Sequence, residues 1–300
     1  MKIDHLSQPV TMTNAQEKEM KKDRTIDLTK KSVIYLVLIG FAFMTVFPLV
    51  WMLLSSLKSP SEMLAVPFTL FPEKLQWGNF SRAFELAPFG LYMMNSFLTS
   101  IAIVLLQAGF SCMLAYGLTH IKFKGRSFIF NSLLVSYMLP TAVTYVPSYI
   151  ILARLNLLDT LTGIVVSNAA SVFSVFLLWQ AFRTIPGELI EAARMEGASD
   201  WSILWKIVAP LRKSTIFIMS LISFIQMYNN YLWPSLVARS QENYLVTVGL
   251  RQFYTSQGSF SNNLPAIMAA NVITILPLFI IFLIFQKWLI RGIGDTGIKG

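Results

Sequence analysis

The stretch VIYLVLIGFAFMTVFPLVWMLL, residues 33–54, decides the class of fold to which this chain belongs. None of its residues is charged, and most are large and apolar. A helix needs roughly 20 mainly apolar residues to cross the hydrocarbon core of a bilayer, which is about 30 Å thick. The stretch therefore predicts a transmembrane helix.

Five further apolar stretches of similar length follow, and their only charged residue is Lys287, near the end of the last one. Ionised side chains are costly in lipid, so this segregation of charge supports the assignment of spans. The chain is predicted to be an all-α polytopic membrane bundle with about six transmembrane helices. The predicted spans are Val33–Leu54, Asn95–Leu118, Phe128–Ile151, Leu161–Phe182, Thr215–Leu236 and Pro265–Leu289.

The third span is predicted to be irregular. Pro140 and Pro147 each remove a backbone donor and can kink a helix. Membrane helices tolerate such residues where neighbouring groups satisfy the freed backbone. Two arrangements remain open: one bent span, or a span that ends near Pro140 and is followed by an interfacial helix.

The composition is that of a protein whose main solvent is lipid. Hydrophobic residues make up 55% of the chain, charged residues make up 13%, and the mean hydropathy is +0.59. Soluble domains carry about 25% charged residues. The net charge of +9 comes from basic residues that flank the spans, which favours membrane topology over nucleic acid binding. The single cysteine, Cys112, excludes an internal disulfide, and His5 and His120 lack the spacing of a metal site.

The distribution of Lys and Arg predicts that both termini face the cytoplasm. The two ends of the chain and the second-to-third and fourth-to-fifth loops hold 18 of the 24 basic residues. Cytoplasmic segments of membrane proteins are enriched in these residues. No signal peptide is evident. Residues 1–31 are predicted to form a flexible cytoplasmic arm, with a short interfacial helix near Ile26–Lys31, and residues 32–300 to form the transmembrane domain.

The fourth-to-fifth loop, residues 183–214, is longer than a connector requires and begins with a helical pattern. Pro186 suits a first helical turn. Glu188 and Glu191 follow where acidic residues favour the N-terminal end of the helix dipole. Gly197 predicts a stop or a tight bend after an Ala-rich segment.

A second helix is predicted after this glycine. Ser199 or Asp200 can cap its start. Pattern alone leaves two interpretations of the loop: an amphipathic connector on the membrane surface, or an element whose small residues let another surface approach closely. The apolar positions of the second helix recur at helical spacing and are Trp201, Leu204, Val208 and Leu211.

The order of residues in this loop resembles the EAA loop of ABC importer permeases. Residues 191–210 read Glu-Ala-Ala, three residues, Gly, nine residues, Ile, two residues, Pro. The pattern is long and specifically spaced. Two positions depart from it mildly: Ala209 stands where Leu is preferred, and Glu196 stands where Asp is frequent.

Other stretches resemble the carbohydrate branch of that family, the second permease subunit of maltose-type importers. Residues 229–234, Asn-Asn-Tyr-Leu-Trp-Pro, resemble that branch's Trp-Asn-acid-aromatic-Leu-Trp-Pro stretch. Here Tyr228 replaces the Trp, and Asn230 replaces the acid. The C-terminal residues 292–300 also look like that branch. The resemblance covers residues 33–300.

The resemblance implies an importer in which this chain is the permease domain that forms half of the pore. A second homologous permease subunit would form the other half, two ATPase subunits would dock on the cytoplasmic side, and an extracellular sugar-binding protein would deliver the solute. ATP and Mg would be held by the ATPase subunits and no cofactor by this chain, which would be no enzyme. The chain would lie among lipids as a multi-pass protein of the bacterial cytoplasmic membrane. The residues expected to contact an ATPase through the coupling helix of loop 183–214 are Glu191, Ala192, Ala193, Arg194, Glu196 and Gly197.

Polar residues inside the predicted spans indicate a candidate substrate path, because such residues usually face protein or water. Sugars need groups that match hydroxyls and aromatic faces. Hydrogen bonding between helices is the alternative use of each of these side chains. In maltose-type importers the companion permease makes most sugar contacts, and the outer loop, here Ala238–Asn263, touches the binding protein. The candidates in this chain are Tyr137, Asn168, Tyr228, Asn229, Asn230 and Trp233.

The sequence shows no motif for chemistry of its own. It has no phosphate-cradling Gly loop with Lys and Ser/Thr, so ATP must be hydrolysed by a partner. The predicted function is a permease subunit of an ATP-driven importer for a sugar, a di- or oligosaccharide. Two alternatives remain. The EAA loop alone also fits an ABC permease for another solute, such as glycerol phosphate, whereas an ion-driven secondary transporter would carry charged relays inside its spans.

Overall fold

The described structure is helical throughout. The computed structural model describes residues 14–67, 69–256 and 260–297, with the side chains of 30–67, 69–256 and 263–288. Over these residues it contains no β-strand. The chain divides into two units, Met1–Leu54 and Ser55–Gly300, and each is described by itself.

The first unit consists of most of α1, Asn14–Ser56, a helix of 43 residues. At 1.5 Å per residue its length is about 65 Å, roughly twice the thickness of the hydrocarbon core. Its portion Lys30–Ser56 is long and apolar enough to cross a membrane, as predicted for Val33–Leu54. The apolar side chains of this portion are largely exposed, which suits contact with lipid tails.

Helix α1 includes part of the segment predicted to be a flexible cytoplasmic arm, residues 1–31, and the flexibility of that arm stays a prediction. From residue 14 onward the backbone is helical and continues into the first span. Two physical reasons apply. The segment is rich in Glu, Lys and Met, which are good helix formers, and extending an existing helix needs no new nucleus. Residues 1–13 lie outside the described residues.

The second unit combines two long helices with many shorter ones. It also contains a π-helical turn, Leu204–Val208, and a 3-10 turn, Gln241–Asn243. In chain order the helices are α2 Pro60–Met63, α3 Gly78–Leu86, α4 Phe89–His120, α5 Arg126–Met138, α6 Thr141–Arg154, α7 Leu161–Ser167, α8 Val172–Arg183, α9 Gly187–Met195, α10 Asp200–Ile203, α11 Ala209–Leu211, α12 Lys213–Tyr228, α13 Leu232–Val237, α14 Val246–Ser256 and α15 Phe260–Gly297.

The candidate spans are of two kinds. Helices α1, α4 and α15 each contain a continuous segment long and apolar enough to cross a membrane. The other candidates are helix pairs with a sharp bend: α5 and α6 at 102°, α7 and α8 at 44°, and the α10–α11 segment with α12 at 82°. Six spans result if each bent pair counts as one, which agrees with the predicted number.

The third predicted span is sharply bent near Pro140, and this bend is compatible with both predicted arrangements. Helix α5 ends at Met138, immediately before Leu139 and Pro140, and α6 leaves at 102° to it. Proline restricts the residue before it to extended conformations, which ends the helix at this point. Pro147 lies inside α6 without ending it.

The fourth and fifth spans are interrupted, although each was predicted as one continuous helix. The fourth breaks at residues 168–171, where the side chain of Ser171 caps the start of α8. The fifth breaks at residues 229–231, where the hydroxyl of Thr247 donates to the backbone carbonyl of Asn230 at 2.7 Å. Asn and Ser side chains compete for backbone hydrogen bonds and so favour helix ends over helix interiors.

Helix α4 is the centre of the second unit. It packs against α7, α8, α12 and α14. One face carries buried polar residues at intervals of one helical turn, among them Ser96, Ser100, Gln107 and Ser111. Small residues at such positions allow helices to approach closely in a membrane, and their hydroxyl groups can bond across the contact.

Candidate functional sites

Helices α9 and α10 form a hairpin around Gly197, as predicted. Gly197 has a φ of +85°, a left-handed conformation that other residues rarely adopt. The amide of Ala198 donates to the carbonyl of Ala193 at 3.0 Å and closes the bend. The side chain of Ser199 accepts a hydrogen bond from the amide of Ser202 and so caps α10.

The second helix of the hairpin departs from its predicted apolar face. Leu204 and Val208 are buried, whereas Trp201 and Leu211 are exposed. The π-helical turn at Leu204–Val208 uses more residues than an α turn and so shifts the angular position of Leu211, which lies beyond it. Trp201 and Leu211 therefore add apolar area to the outer surface of the loop.

The residues predicted to contact an ATPase lie on one exposed stretch of the hairpin. Ala193 is the exception, because it is buried and packs on the core. The side chain of Met195, between them, is 89% exposed. The exposed members of the predicted set are Glu191, Ala192, Arg194, Glu196 and Gly197.

Arg194 also has partners inside the molecule. Its guanidinium donates to a carboxylate oxygen of Asp200 at 2.8 Å and to the backbone carbonyl of His120 at 3.1 Å. The hydroxyl of Tyr116 donates to the same oxygen of Asp200 at 2.7 Å. These two donors, Arg194 first, hold the pKa of Asp200 below its ordinary value. Arg194 thus links the hairpin to the end of α4 by hydrogen bonds. Its contact with an ATPase stays a prediction.

The hairpin is packed onto a core cluster that it shares with three long helices. Close-packed side chains transmit a displacement because they leave little free volume to absorb it. A movement of the hairpin is therefore passed to α4, α8 and α12. The buried members of this cluster include Ile190, Ala193, Ile203, Tyr116, Phe182 and Met219.

A cavity of about 480 Å³ lies in the second unit. Its wall contains hydroxyl and amide groups among apolar side chains, together with the rings of Tyr145 and Trp233, which stack with centroids 5.3 Å apart. Among the described residues that form this wall, none is Asp, Glu, Lys, Arg or His. The described part of the chain also contains no cluster of His, Cys, Asp and Glu able to hold a metal ion. The cavity therefore suits a polar, uncharged ligand.

The structure brings four of the six candidate substrate-path residues together at this cavity, namely Tyr137, Asn168, Asn230 and Trp233. Tyr228 lies elsewhere: it is buried, stacks against Phe224 and donates to the backbone carbonyl of Thr274 at 3.4 Å. Asn229 is exposed and does not belong to the cavity wall. Tyr228 therefore has the alternative use, a contact between helices.

The cavity lies where the helix interruptions meet. Its wall includes Leu139 from the α5–α6 break, Asn168 and Ser171 from the α7–α8 break, and Asn230 from the α12–α13 break. Interrupted membrane helices free backbone groups that need partners, and transporters place such breaks at their solute sites. Sequence analysis did not predict this convergence.

One face of α6 was missed by the sequence analysis. Thr141, Thr144, Tyr145 and Ser148 all line the cavity. Their spacing of three, one and three residues puts them on a single helical face. This polar stripe in an otherwise apolar segment was a signal that would have identified them.

The connection between α13 and α15, predicted to touch a binding protein, is fixed to the start of α4. The side-chain amide of Asn95 donates to the carbonyls of Glu242 at 2.8 Å and Tyr244 at 3.1 Å. The hydroxyl of Ser96 accepts from the amide of Val246 at 2.7 Å. These bonds give the loop a defined conformation. Its contact with a binding protein stays a prediction, and residues 257–259 lie outside the described residues.

Asp159 joins two further connections. Its carboxylate accepts from the amides of Arg239 at 2.8 Å and Ser240 at 2.9 Å, and from the hydroxyl of Ser240 at 3.0 Å. These bonds, that of the Ser240 amide first, hold the pKa of Asp159 below its ordinary value. Through these hydrogen bonds Asp159 holds the α6–α7 connection against the segment after α13.

The sequence is similar to known transport proteins over most of its length. Residues 107–295 match the family described as binding-protein-dependent transport system inner membrane component. The chain is 34% identical over 274 residues to the arabinooligosaccharides transport system permease protein of Halalkalibacterium halodurans, which covers 89% of this chain and 96% of that relative. It is 32% identical over 268 residues to the sn-glycerol-3-phosphate transport system permease protein of Yersinia pestis, which covers 87% and 95%.

Two solved structures share the fold. A bacterial ABC transporter involved in the import of the acidic polysaccharide alginate matches with a TM-score of 0.76 at 22% identity, over 93% of this chain and 99% of the other. A bacterial alginate ABC transporter in complex with an alginate pentasaccharide-bound periplasmic protein matches with a TM-score of 0.64 at 15% identity, over 88% and 94%. The likeness confirms the predicted all-α membrane bundle.

Proposed function

Because the chain belongs to the family of binding-protein-dependent transport system inner membrane components, as its EAA-type loop predicted, we propose that it is a permease subunit of an ATP-driven importer for a di- or oligosaccharide. The relative from Halalkalibacterium halodurans, named for arabinooligosaccharides, supports a sugar as the solute. The polar, uncharged wall of the cavity supports the same class of solute.

Helix α8 is the observation that carries this proposal. Its first residue, Val172, and its N-cap, Ser171, lie in the cavity wall, and Phe182 in its last turn belongs to the cluster under the hairpin. Its 12 residues span about 18 Å. One rigid element thus joins a surface suited to docking with a cavity suited to a solute.

The proposed mechanism is a rigid-body coupling. An ATPase subunit holds the hairpin, with Glu191 as the electrostatic contact and Ala192 and Gly197 allowing close approach. Closure of the ATPases on nucleotide displaces the hairpin, and α4 and α8 pass the displacement to the cavity. Packed interfaces of this kind move between discrete arrangements rather than deforming continuously.

The proposal includes partners and an orientation. A second homologous permease completes the pore, two ATPase subunits bind ATP with Mg and hydrolyse it, and an extracellular sugar-binding protein delivers the solute. The basic residues counted above support the cytoplasmic placement of both termini and of the hairpin. Lipid surrounds the spans.

One alternative has specific support. The relative from Yersinia pestis is named for sn-glycerol 3-phosphate and is nearly as similar over the same length. An ion-driven mechanism has less support, because all acidic residues lie outside the predicted spans.

The proposed function is tested with this chain purified together with the subunits that accompany it in detergent, and reconstituted with the binding protein into liposomes. We expect uptake of a neutral oligosaccharide that requires ATP on the side of the hairpin. The double variant Glu191→Ala with Gly197→Pro should insert normally but lose uptake and subunit assembly, because proline cannot adopt the φ of +85° at this position.

Glu188→Ala is the matched control, since Glu188 is an exposed acidic residue on the same helix but outside the predicted contact. It should retain uptake within about twofold of the original. Normal uptake by the double variant would contradict the coupling role.

A further inference from the structure

We propose that Gln107 contacts the solute: its side-chain oxygen accepts a hydrogen bond from a hydroxyl group of a neutral sugar that passes through the cavity beside α4. This inference rests on the proposed function, because it takes the cavity to be part of the solute path. To the proposed function it adds a residue of this chain that contacts the solute, and a preference of the cavity for uncharged sugars.

The side-chain amide of Gln107 uses its nitrogen in a hydrogen bond, whereas its oxygen has no partner among the described residues. Its side chain is 3% exposed, and its amide nitrogen donates to the backbone carbonyl of Asn168 at 2.8 Å. Its amide oxygen has no hydrogen-bond donor among the described residues. A buried acceptor without a donor is costly, so such atoms usually have a partner, either water or a ligand. Gln107 belongs to the cavity wall, so we take this donor to be a hydroxyl group of the solute, which reaches the buried oxygen when the cavity opens.

The groups around Gln107 are those that bind sugars. The α6 face supplies the hydroxyls of Thr141, Thr144 and Ser148. Tyr145 is half-buried and rests one face of its ring on Trp233, whose indole nitrogen is already bonded to the hydroxyl of Ser167 at 2.8 Å. The ring of Tyr145 is thereby fixed as an apolar surface for the C–H face of a sugar, with hydroxyl groups around it.

The absence of charged side chains from the described part of the wall favours a neutral sugar, as in the name of one relative, over sn-glycerol 3-phosphate, as in the name of the other. A phosphate or carboxylate is bound most strongly by Arg or Lys, and placing it in an enclosed site without a cation is costly. Among the described residues of the wall, cationic side chains are missing. A volume of about 480 Å³ lies within the range of about 300–1,000 Å³ typical of small-molecule sites. The cavity is therefore suited to a neutral sugar rather than to glycerol phosphate.

The test follows ligand binding by chemical protection in the reconstituted importer. Cys112, the only native cysteine, is replaced by serine, and Thr144→Cys places a thiol in the cavity wall. N-ethylmaleimide labels this thiol in the presence of maltose, raffinose, arabinotriose or sn-glycerol 3-phosphate. ATP-driven uptake of the same compounds is measured in parallel.

Three further variants isolate the role of Gln107. Gln107→Leu removes the acceptor, whereas Gln107→Asn keeps an amide with both a donor and an acceptor on a shorter side chain, so that a second variant is available even if the leucine variant fails to assemble. Ser111→Ala is the matched control. Ser111 lies one turn further along α4, is equally buried and likewise has no partner among the described residues, but it is not in the cavity wall.

We expect one or more neutral sugars to slow labelling of Thr144→Cys about fivefold and sn-glycerol 3-phosphate to have no such effect. Gln107→Leu should abolish protection and lower uptake of that sugar about tenfold, because a site built to bond a hydroxyl is left unpaired. Gln107→Asn should keep more of the protection than Gln107→Leu, and Ser111→Ala should keep both protection and uptake within about twofold.

Several outcomes would overturn the inference. They are equal effects of Gln107→Leu and Ser111→Ala, no more protection in Gln107→Asn than in Gln107→Leu, protection by sn-glycerol 3-phosphate equal to that by sugar, and uptake of a sugar that gives no protection. Uptake independent of ATP would instead overturn the proposed function, and the labelling result would then decide the inference by itself.

Discussion

Asp200 shows how much of the hairpin's geometry depends on a single carboxylate. It accepts hydrogen bonds from Arg194, on the other arm of the hairpin, and from Tyr116, on α4. The ion pair is partly exposed, with 38% and 49% of the two side chains accessible, so its own contribution to stability is small. The bond from the buried hydroxyl of Tyr116 contributes more, because an unpaired buried donor is costly.

Replacing Asp200 should therefore affect stability through hydrogen bonds more than through charge. Asp200→Ala should destabilise the protein by about 1 kcal/mol, since it leaves the hydroxyl of Tyr116 unpaired. This corresponds to a fall of about 2–4 °C in the melting temperature of a chain of this size. Asp200→Asn keeps an acceptor and should lose less than half of that. Thermal unfolding of the detergent-solubilised complex measures both, and equal losses would show that charge matters more than the acceptor.

The sequence predicted the glycine bend but not this network. Gly197 and Ser199 act locally, so their effects follow from a few neighbouring residues. Tyr116 and Asp200 lie 84 residues apart, and only the packing of α4 against the hairpin brings them together. For the same reason the hydrogen bond between Gln107 and Asn168 does not follow from the sequence.

At the scale of elements, the connections are held by side chains that replace missing backbone partners. Asp159 fixes the α6–α7 connection to the segment after α13, and Asn95 fixes the segment before α14 to α4. The conformation of both connections therefore depends on hydrogen bonds of buried or half-buried side chains rather than on regular secondary structure.

The contribution of the Asp159 hydrogen bonds to stability should decrease at acidic pH. Its pKa in the folded protein lies below the unfolded value of about 3.9, so its stabilising contribution is complete above that value. The contribution is lost as pH falls through the lower, folded pKa. The difference in melting temperature between the original protein and Asp159→Asn should be constant from pH 7 to about pH 5 and shrink below about pH 4. A difference that grew as pH fell would contradict the assignment.

Whole helices were easier to predict than their interruptions. The existence of α1, α4 and α15 follows from long apolar runs, which have few alternatives to spanning a membrane. The breaks at residues 168–171 and 229–231 occur in windows that are equally apolar. They depend on distant groups, Gln107 for the first and Thr247 for the second, which satisfy the freed carbonyls.

At the scale of the whole molecule, the proposed function requires the hairpin and the first outer loop to face opposite sides of the membrane. Both sites offer highly exposed positions, Met195 in the hairpin at 89% and Val66 in the segment before α3 at 95%. The distribution of basic residues predicts that Met195 faces the cytoplasm.

Thiol labelling tests this orientation. In the Cys112→Ser background, a membrane-impermeant maleimide should label Val66→Cys but not Met195→Cys in intact spheroplasts, and the reverse in inverted vesicles. Labelling of Met195→Cys from outside would place the hairpin on the wrong side for an ATPase and would contradict the coupling mechanism.

The uncharged wall of the cavity has a consequence for cellular energetics. A sodium ion that enters finds no fixed opposite charge among the described wall residues. A sugar exchanges water for hydroxyl and amide groups. In the proposed importer this wall therefore offers sodium ions no strong attraction, and the gradients that drive other transporters are not spent on uptake.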